Sequence, residues 1–257
     1  MQKENIAQDI IDYSKNKKIV LLWSGGFEST YLLKLFLSEK IYECCNLDVL
    51  SVIFPQDVYN IEKVHQSQEY LRSLGVNTSF IIPDIEIDKD AVAYTKACLV
   101  CKDIRRAIIN KYIQDHAGES LSFVTGHNLD DLISYLLENI VTVLEGNFEK
   151  KYNRYLETAN KFVACFPYNE SSIIFRPLLQ FTKKSLQEDC FGELDQVFSV
   201  CEKECYWSKQ RKRIFQLYLS QAERRFGFSK TQEMFKTIVG NPSLSDFRVL
   251  PFETYLL

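Results

Sequence analysis

Up to about residue 190, apolar runs rich in branched side chains alternate with stretches whose apolar positions recur every three or four residues. The first run, Ile19-Val20-Leu21-Leu22-Trp23, is unbroken, as in a strand buried on both faces. Ser24-Gly25-Gly26 then interrupts it, and Glu28-Ser29-Thr30-Tyr31-Leu32-Leu33 opens a helical pattern. Read this way, the chain carries strands near 18–23, 49–54, 78–82, 121–125 and 172–176. Helices fall near 28–38, 60–74, 101–115, 129–143 and 182–190. Leu71 and Leu74 followed by Gly75 mark a helix end with its glycine cap. Strand and helix in alternation predict an α/β fold with a parallel sheet.

Beyond residue 190 the strand signals stop, and 208–226 and 230–239 carry helical spacing. The expected organisation is a domain over 1–190 and a C-terminal helical appendage over 191–257. The segment 144–170 breaks the alternation with a polar, aromatic-rich insert that reads as a loop or lid.

Composition narrows the class. With 257 residues and 46% apolar content the chain can bury a real core. The start, MQKENIAQDIIDYSKNKK, has no apolar core of signal-peptide length, and no segment approaches a membrane-spanning run. The expectation is a cytoplasmic protein without a membrane partner. A net charge of −3 supplies no global attraction for nucleic acid, and the local basic stretch Lys209-Gln210-Arg211-Lys212-Arg213 reads as the solvated side of a helix. Eight cysteines in a reducing compartment are free thiols by default, with metal or redox chemistry where spacing indicates it.

Three short motifs carry candidate chemistry. A glycine pair between strand and helix lets a ligand approach the backbone, and the helix start offers N–H groups and a positive dipole end to a phosphate or pyrophosphate. The same turn also reads as a tight structural turn. It lacks the lysine of the G-x-x-x-x-G-K-[ST] loop and the spacing of G-x-G-x-x-G. In TGHNLDDLISYLLENIV, residues 125–141, a strand ends in Gly126-His127 and a helix opens on Asp130-Asp131. Those carboxylates suit Mg2+ held with substrate phosphates, or simply the capping of a helix. In KACLVCKDIRR, residues 96–106, Cys98 and Cys101 form a C-x-x-C, which fits half of a zinc or iron-sulfur site or a redox pair. With three histidines in the chain, further metal ligands would be cysteines, and Cys201 and Cys205 in VCEKECYW are the candidates. Cys44, Cys45 and Cys165 read as ordinary thiols.

Taken together these motifs resemble a known family. SGGFES is similar to the SGGxDS loop of the PP-loop ATP pyrophosphatases, or adenine nucleotide alpha hydrolases. ACLVCKDIRRAII, then GHNLDDLISYLLENI, then Arg176-Pro177-Leu178 resemble the thiocytidine-synthetase branch of the tRNA-thiolating enzymes, over roughly residues 17–205. The resemblance implies a doubly wound, mostly parallel five-stranded sheet. It also implies ATP-dependent adenylation of a carbonyl-like oxygen, with release of pyrophosphate, and then displacement of AMP by sulfur. Ser24, Gly25, Gly26, Glu28 and Ser29 would hold pyrophosphate, and Ile53, Phe54, Gly126 and His127 complete the nucleotide-binding set. Asp130 and Asp131 would flank the nucleotide or its Mg2+, and Cys98 and Cys101 would serve in sulfur delivery. In one version Cys98, Cys101 and Cys201 hold a 4Fe-4S cluster with a free iron. In the other a cysteine carries persulfide. Three departures, Phe27 for lysine, Glu28 for aspartate and GHN for GHH, bear on the substrate more than on ATP use.

The tail CEKECYWSKQRKRIF resembles the C-x-x-C-x-x-R tail of the cyano-deazaguanine synthases, which would make the metal Zn2+ and the reaction amide or nitrile formation. Expected partners are ATP, a nucleobase-like substrate and a sulfur donor. The acidic balance favours a small-molecule acceptor over tRNA, and a homodimer is compatible with the sequence.

Overall fold

The computed structural model describes residues 2–53, 60–83, 94–142, 161, 163–189, 191–198, 215, 217–219, 221, 224 and 225. The chain divides into two compact units, Met1–Gly126 with Cys190–Gln210, and His127–Asp189 with Arg211–Leu257.

The first unit is a parallel sheet wrapped by helices. Its strands are β1 (Lys18–Leu22), β2 (Leu47–Val52), β3 (Asn77–Ile81) and β4 (Leu121–Val124), in the order β3-β2-β1-β4. Ile19 lies opposite Leu47 on one side and Ser122 on the other, so β1 is central. All six residues of β2 and all four of β4 are buried, so these strands read as mostly apolar runs interrupted only by Asp48, Ser51 and Ser122. Helix α1 spans Gln2–Tyr13 and α2 spans Phe27–Ser38, and α2 continues through the single turn α3 (Ile41–Cys44) towards β2. Helix α4 (Ile61–Ser73) joins β2 to β3, and α5 (Tyr94–Asp115) precedes β4. Because the chain leaves β1 towards β2 and later returns to its other side as β4, the order reverses between β1 and β4. In open α/β sheets that switch point, at the carboxyl ends of the strands, is where ligands bind.

Helix α1 has no counterpart in the sequence reading; it buries only Ile6, Ala7 and Ile10 amid polar residues. Helix α5 starts at Tyr94, not near 101, so Cys98 and Cys101 both lie within it. At the opposite end of the sheet Lys18 Nζ lies 2.9 Å from the Asp48 carboxylate, which also accepts a hydrogen bond from the Tyr112 hydroxyl. Burial and that bond to Asp48 hold the Tyr112 phenol well above its ordinary range. The returning segment 191–198 packs on the same unit: Phe198 is edge-on to Trp23, with ring centroids 6.2 Å apart, and Lys34 Nζ lies 2.6 Å from Asp195.

The second unit holds α6 (Leu129–Thr142) and an antiparallel pair, β5 (Cys165–Pro167) and β6 (Ser172–Phe175), with Cys165 opposite Phe175. Strand β5 is a sixth strand beyond the five expected, and it falls in the stretch read as a loop or lid. The rest of 144–170 up to 160, and 162, lie outside the described residues. Beyond β6 the buried Arg176 donates from Nη1 to the Val163 carbonyl at 2.9 Å, and burial lowers its pKa to about 10. A short helix, Lys183–Gln187, is capped by Thr182, whose hydroxyl accepts from Ser185 N–H. In the tail, 215, 217–219, 221, 224 and 225 are helical; the remainder of 208–226 and all of 230–239 lie outside the described residues. Among the described residues no helix is long and apolar enough to cross a membrane.

Candidate active site at the strand switch point

The turn after β1 is organised by its own hydroxyls. Gly25 has φ of +69°, a left-handed conformation that glycine adopts without a Cβ penalty. Ser29 Oγ accepts from Ser24 N–H at 3.1 Å and reaches the Gly26 carbonyl at 3.1 Å, and it lies 2.9 Å from Ser24 Oγ. One proton arrangement satisfies the set: Ser29 donates to Gly26, Ser24 donates to Ser29, and Gly26 N–H donates to Ser24 Oγ at 3.4 Å. The turn is thereby closed on itself while no side chain caps the start of α2, whose N-cap is Gly26. Trp23 Nε1 donates to Thr30 Oγ1 at 3.0 Å, tying the strand end to the first turn of the helix.

The turn after β4 meets this one. A Cβ on Gly126 would stand 2.7 Å from Ser29 N and 2.8 Å from the Glu28 carbonyl carbon, closer than real Cβ atoms come to backbone. Only glycine lets the β4 turn seat against the N-terminus of α2. Two turns 97 residues apart, each containing the glycine its position demands, thus converge at the switch point (126 − 29). Small residues, backbone amides and a helix start without a side-chain cap form the kind of cradle an anionic phosphate group occupies.

Other predicted residues are placed as follows. Ile53 is buried just past β2, its N–H donating to the Ile81 carbonyl at 2.9 Å, and Phe54 lies outside the described residues. His127 is half-buried. In the second unit, Asp131 and Asn128 form a reciprocal cap: Asp131 N–H donates to Asn128 Oδ1 at 2.9 Å, and Asn128 N–H donates to Asp131 Oδ2 at 3.3 Å. Asp130 Oδ2 accepts from Lys183 N–H at 2.7 Å. Both carboxylates therefore hold backbone, the capping role that the sequence left open. Cys98 and Cys101 lie on α5, one helical turn apart, and Cys201, Cys205 and the tail motif around them lie outside the described residues. Sequence reasoning missed Asn128, Trp23 and Thr30. Asn128 carries a legible signal, because asparagine three residues before an acid at a helix start fits a cap.

The sheet order and the paired glycine turns define a doubly wound α/β protein with a candidate ligand site at its switch point. No family model matches the chain. In sequence it is 25% identical over 143 residues to the tRNA-cytidine(32) 2-sulfurtransferase of Actinobacillus pleuropneumoniae serotype 7, covering 54% of this chain and 44% of that protein. It is 28% identical over 159 residues to the tRNA-5-methyluridine(54) 2-sulfurtransferase of Thermotoga maritima, covering 59% and 50%. The matches span about half the length of these curated relatives or less. Among solved structures, the U34-tRNA thiolase NcsA from Methanococcus maripaludis, determined with its 4Fe-4S cluster, shares the fold with a TM-score of 0.61 at 15% identity, covering 94% of this chain and 80% of that one. The chain thus shares its fold with a tRNA thiolase, and its sequence matches are to tRNA sulfurtransferases.

Proposed function

We propose that this chain is an ATP-dependent sulfurtransferase that thiolates a nucleobase carried by a tRNA. The observation that carries the reading is Gly126 seated on the Ser29 amide at the switch point, beside a helix start without a side-chain cap. The tRNA-modifying relatives move the acceptor from the small molecule that the acidic balance favours to tRNA.

The chemistry follows from the charges. A carbonyl-like oxygen of the base attacks the α-phosphate of ATP, the bond to the β-phosphate breaks, and pyrophosphate leaves. The N-terminal dipole of α2 stabilises the charge that grows on that leaving group. Glu28, in the first turn of α2, brings a carboxylate towards the same oxygens, which requires a cation between them. Mg2+ meets this need, since it binds carboxylate and phosphate oxygens together. A sulfur nucleophile then attacks the activated base carbon, and AMP departs with the original oxygen. His127, Asp130 and Asp131 are assigned to the nucleotide and its metal by motif resemblance, with Asp130 and Asp131 also holding backbone.

For sulfur delivery, Cys98 and Cys101 stand three residues apart on α5, a pair of residues that fits half of an iron-sulfur site. Cys201 is assigned as the third ligand and Cys205 as its alternate within the C-terminal region, 191–257; Phe198, three residues before Cys201, packs on Trp23 next to the glycine turn. A 4Fe-4S cluster held there would supply an open iron that binds sulfide. The chain's own contribution is to set the two cysteines one turn apart on a single helix.

The test is to incubate protein purified without oxygen with ATP, Mg2+, sulfide and unmodified tRNA, and to analyse nucleosides by mass spectrometry. A thiolated base formed in step with AMP and pyrophosphate is the expected result. AMP formation with ammonia as the required donor, and no thiolated base, would replace this reading with the amide- or nitrile-forming one.

A further inference from the structure

Cys44 and Cys45 read from sequence as ordinary thiols, yet their Sγ atoms lie 3.7 Å apart where α3 hands over to β2. Cys44 is exposed and Cys45 half-buried, and both are free thiols. They sit at the amino ends of the strands, away from the glycine turns, so the proposed thiolation does not use them. From this geometry we propose that Cys44 and Cys45 form a hydroperoxide-reactive modification site, in which exposed Cys44 is the attacking thiol and Cys45 resolves it as a vicinal disulfide.

Exposure sets the two roles, and the hydrogen bonds show the pair at rest as two thiols. Cys44 Sγ donates to the Ile41 carbonyl at 3.2 Å, which leaves Cys45 as donor to Cys44. Burial first, then that bond and the charge on Cys44, push the Cys45 thiol up to about 11. The exposed Cys44 sulfur is therefore the one a hydroperoxide reaches, with the Cys45 sulfur 3.7 Å behind it. In the first step the Cys44 thiolate attacks the terminal oxygen of the hydroperoxide. The O–O bond breaks, the remaining oxygen leaves as alcohol or water after taking a proton, and Cys44 becomes a sulfenic acid. In the second step Cys45 Sγ attacks the Cys44 sulfur, the S–O bond breaks, and hydroxide leaves with the Cys45 proton as water. Two thiols are oxidised to one disulfide and one hydroperoxide is reduced. At near-contact separation the second step is intramolecular and outpaces further oxidation.

Such a disulfide would be easily reversed. A trans peptide holds adjacent Cα atoms about 3.8 Å apart, below the roughly 4.4–6.8 Å that an unstrained bridge spans. Strained and exposed disulfides have the more oxidising potentials of labile, regulatory ones. The strain would fall on a defined joint: Cys45 N–H donates to the Ile41 carbonyl at 3.0 Å, and the next residue's carbonyl, Asn46, accepts from Ile19 N–H at 2.9 Å.

The experiment treats the full-length protein with a small excess of hydrogen peroxide, alkylates remaining thiols and digests with trypsin. The tryptic peptide 41–63 contains both cysteines and no other. The expected product is that peptide lighter by two hydrogens, unalkylated, and restored to two alkylated thiols by dithiothreitol. With Cys45→Ser, a sulfenic acid at Cys44 should accumulate and be captured by a cyclic diketone probe; with Cys44→Ser, the probe should label nothing in this peptide. Two alkylated thiols after peroxide, a sulfinic acid at Cys44 beside an alkylated Cys45, or either cysteine bridged to a different one would overturn the proposal.

Discussion

Where β1 and β4 end, the first unit is built from Ser24, Gly25, Gly26 and Gly126, beside a helix whose N-cap, Gly26, has no side chain to cap it. Where the same strands begin, it is built from large ionisable side chains: Lys18, Asp48 and Tyr112 joined in a buried network, with Glu119 3.7 Å from Lys18. The contrast separates two tasks within one sheet. The proposed phosphate cradle needs side chains out of the way of an approaching ligand, so its residues are small. A stabilising network does the reverse, satisfying its charges internally. The two ends should therefore respond to substitution in different observables.

The largest effect is expected at Gly126. Gly126→Ala places a methyl 2.7 Å from Ser29 N, so one of the two turns must shift. A displacement of this size at a reacting centre costs roughly 100-fold, and titration calorimetry with ATP and Mg2+, alongside AMP release, should read that loss. At the opposite end Asp48→Ala leaves the largely buried Lys18 with only the exposed Glu119, 3.7 Å away, and breaking a buried pair costs about 3 kcal/mol. Urea unfolding should show that loss, with ATP affinity nearly unchanged. Equal damage to ATP binding from both variants would break the separation of tasks.

Tyr112→Phe is a milder probe of the network, expected to cost about 1.5 kcal/mol, the contribution of a hydrogen bond to a charged acceptor. It should also change the alkaline response. The Tyr112 phenol is raised in the folded state, so its contribution to stability is complete below the unfolded value near 10 and is lost as pH rises above it. Thermal unfolding of the wild type should therefore fall more steeply above about pH 10 than that of the phenylalanine variant. The smallest effect is expected at the start of α6. Asp131→Ala removes half of the reciprocal cap and should cost about 1 kcal/mol, whereas Asp131→Asn keeps an acceptor and should unfold like wild type. If Asp131→Asn nonetheless shifts the Mg2+ dependence of AMP release, its carboxylate serves the metal as well as the cap.

Legibility followed the physics of each element. Strands β1, β2 and β4 were readable because burial on both faces leaves nearly unbroken apolar runs. Helix α1 was not, since it commits only Ile6, Ala7 and Ile10 to the core, too thin a stripe to stand out amid polar neighbours. Strand β5 has three residues, one of them proline, and pairs only where the antiparallel β6 meets it. At the candidate site the glycine turns were visible as motifs, because a required backbone conformation restricts residue type. The seating of Gly126 on Ser29 was not visible, being a tertiary contact that no local pattern encodes. Asp130 and Asp131 show the converse limit: an acid at a helix start looks the same whether it serves a metal or the backbone.

The account's central claim is that the paired glycine turns form a pyrophosphate cradle for ATP. Its most direct test is equilibrium binding of ATP with Mg2+, and separately of pyrophosphate, to the full-length wild type, Ser29→Ala and Gly126→Ala. The account predicts saturable binding of both ligands, weakened roughly tenfold when Ser29 loses the hydroxyl that closes the turn, the worth of a lost hydrogen bond, and weakened most at Gly126. Wild-type binding that neither substitution alters, or no binding of either ligand by a folded wild type, would contradict it.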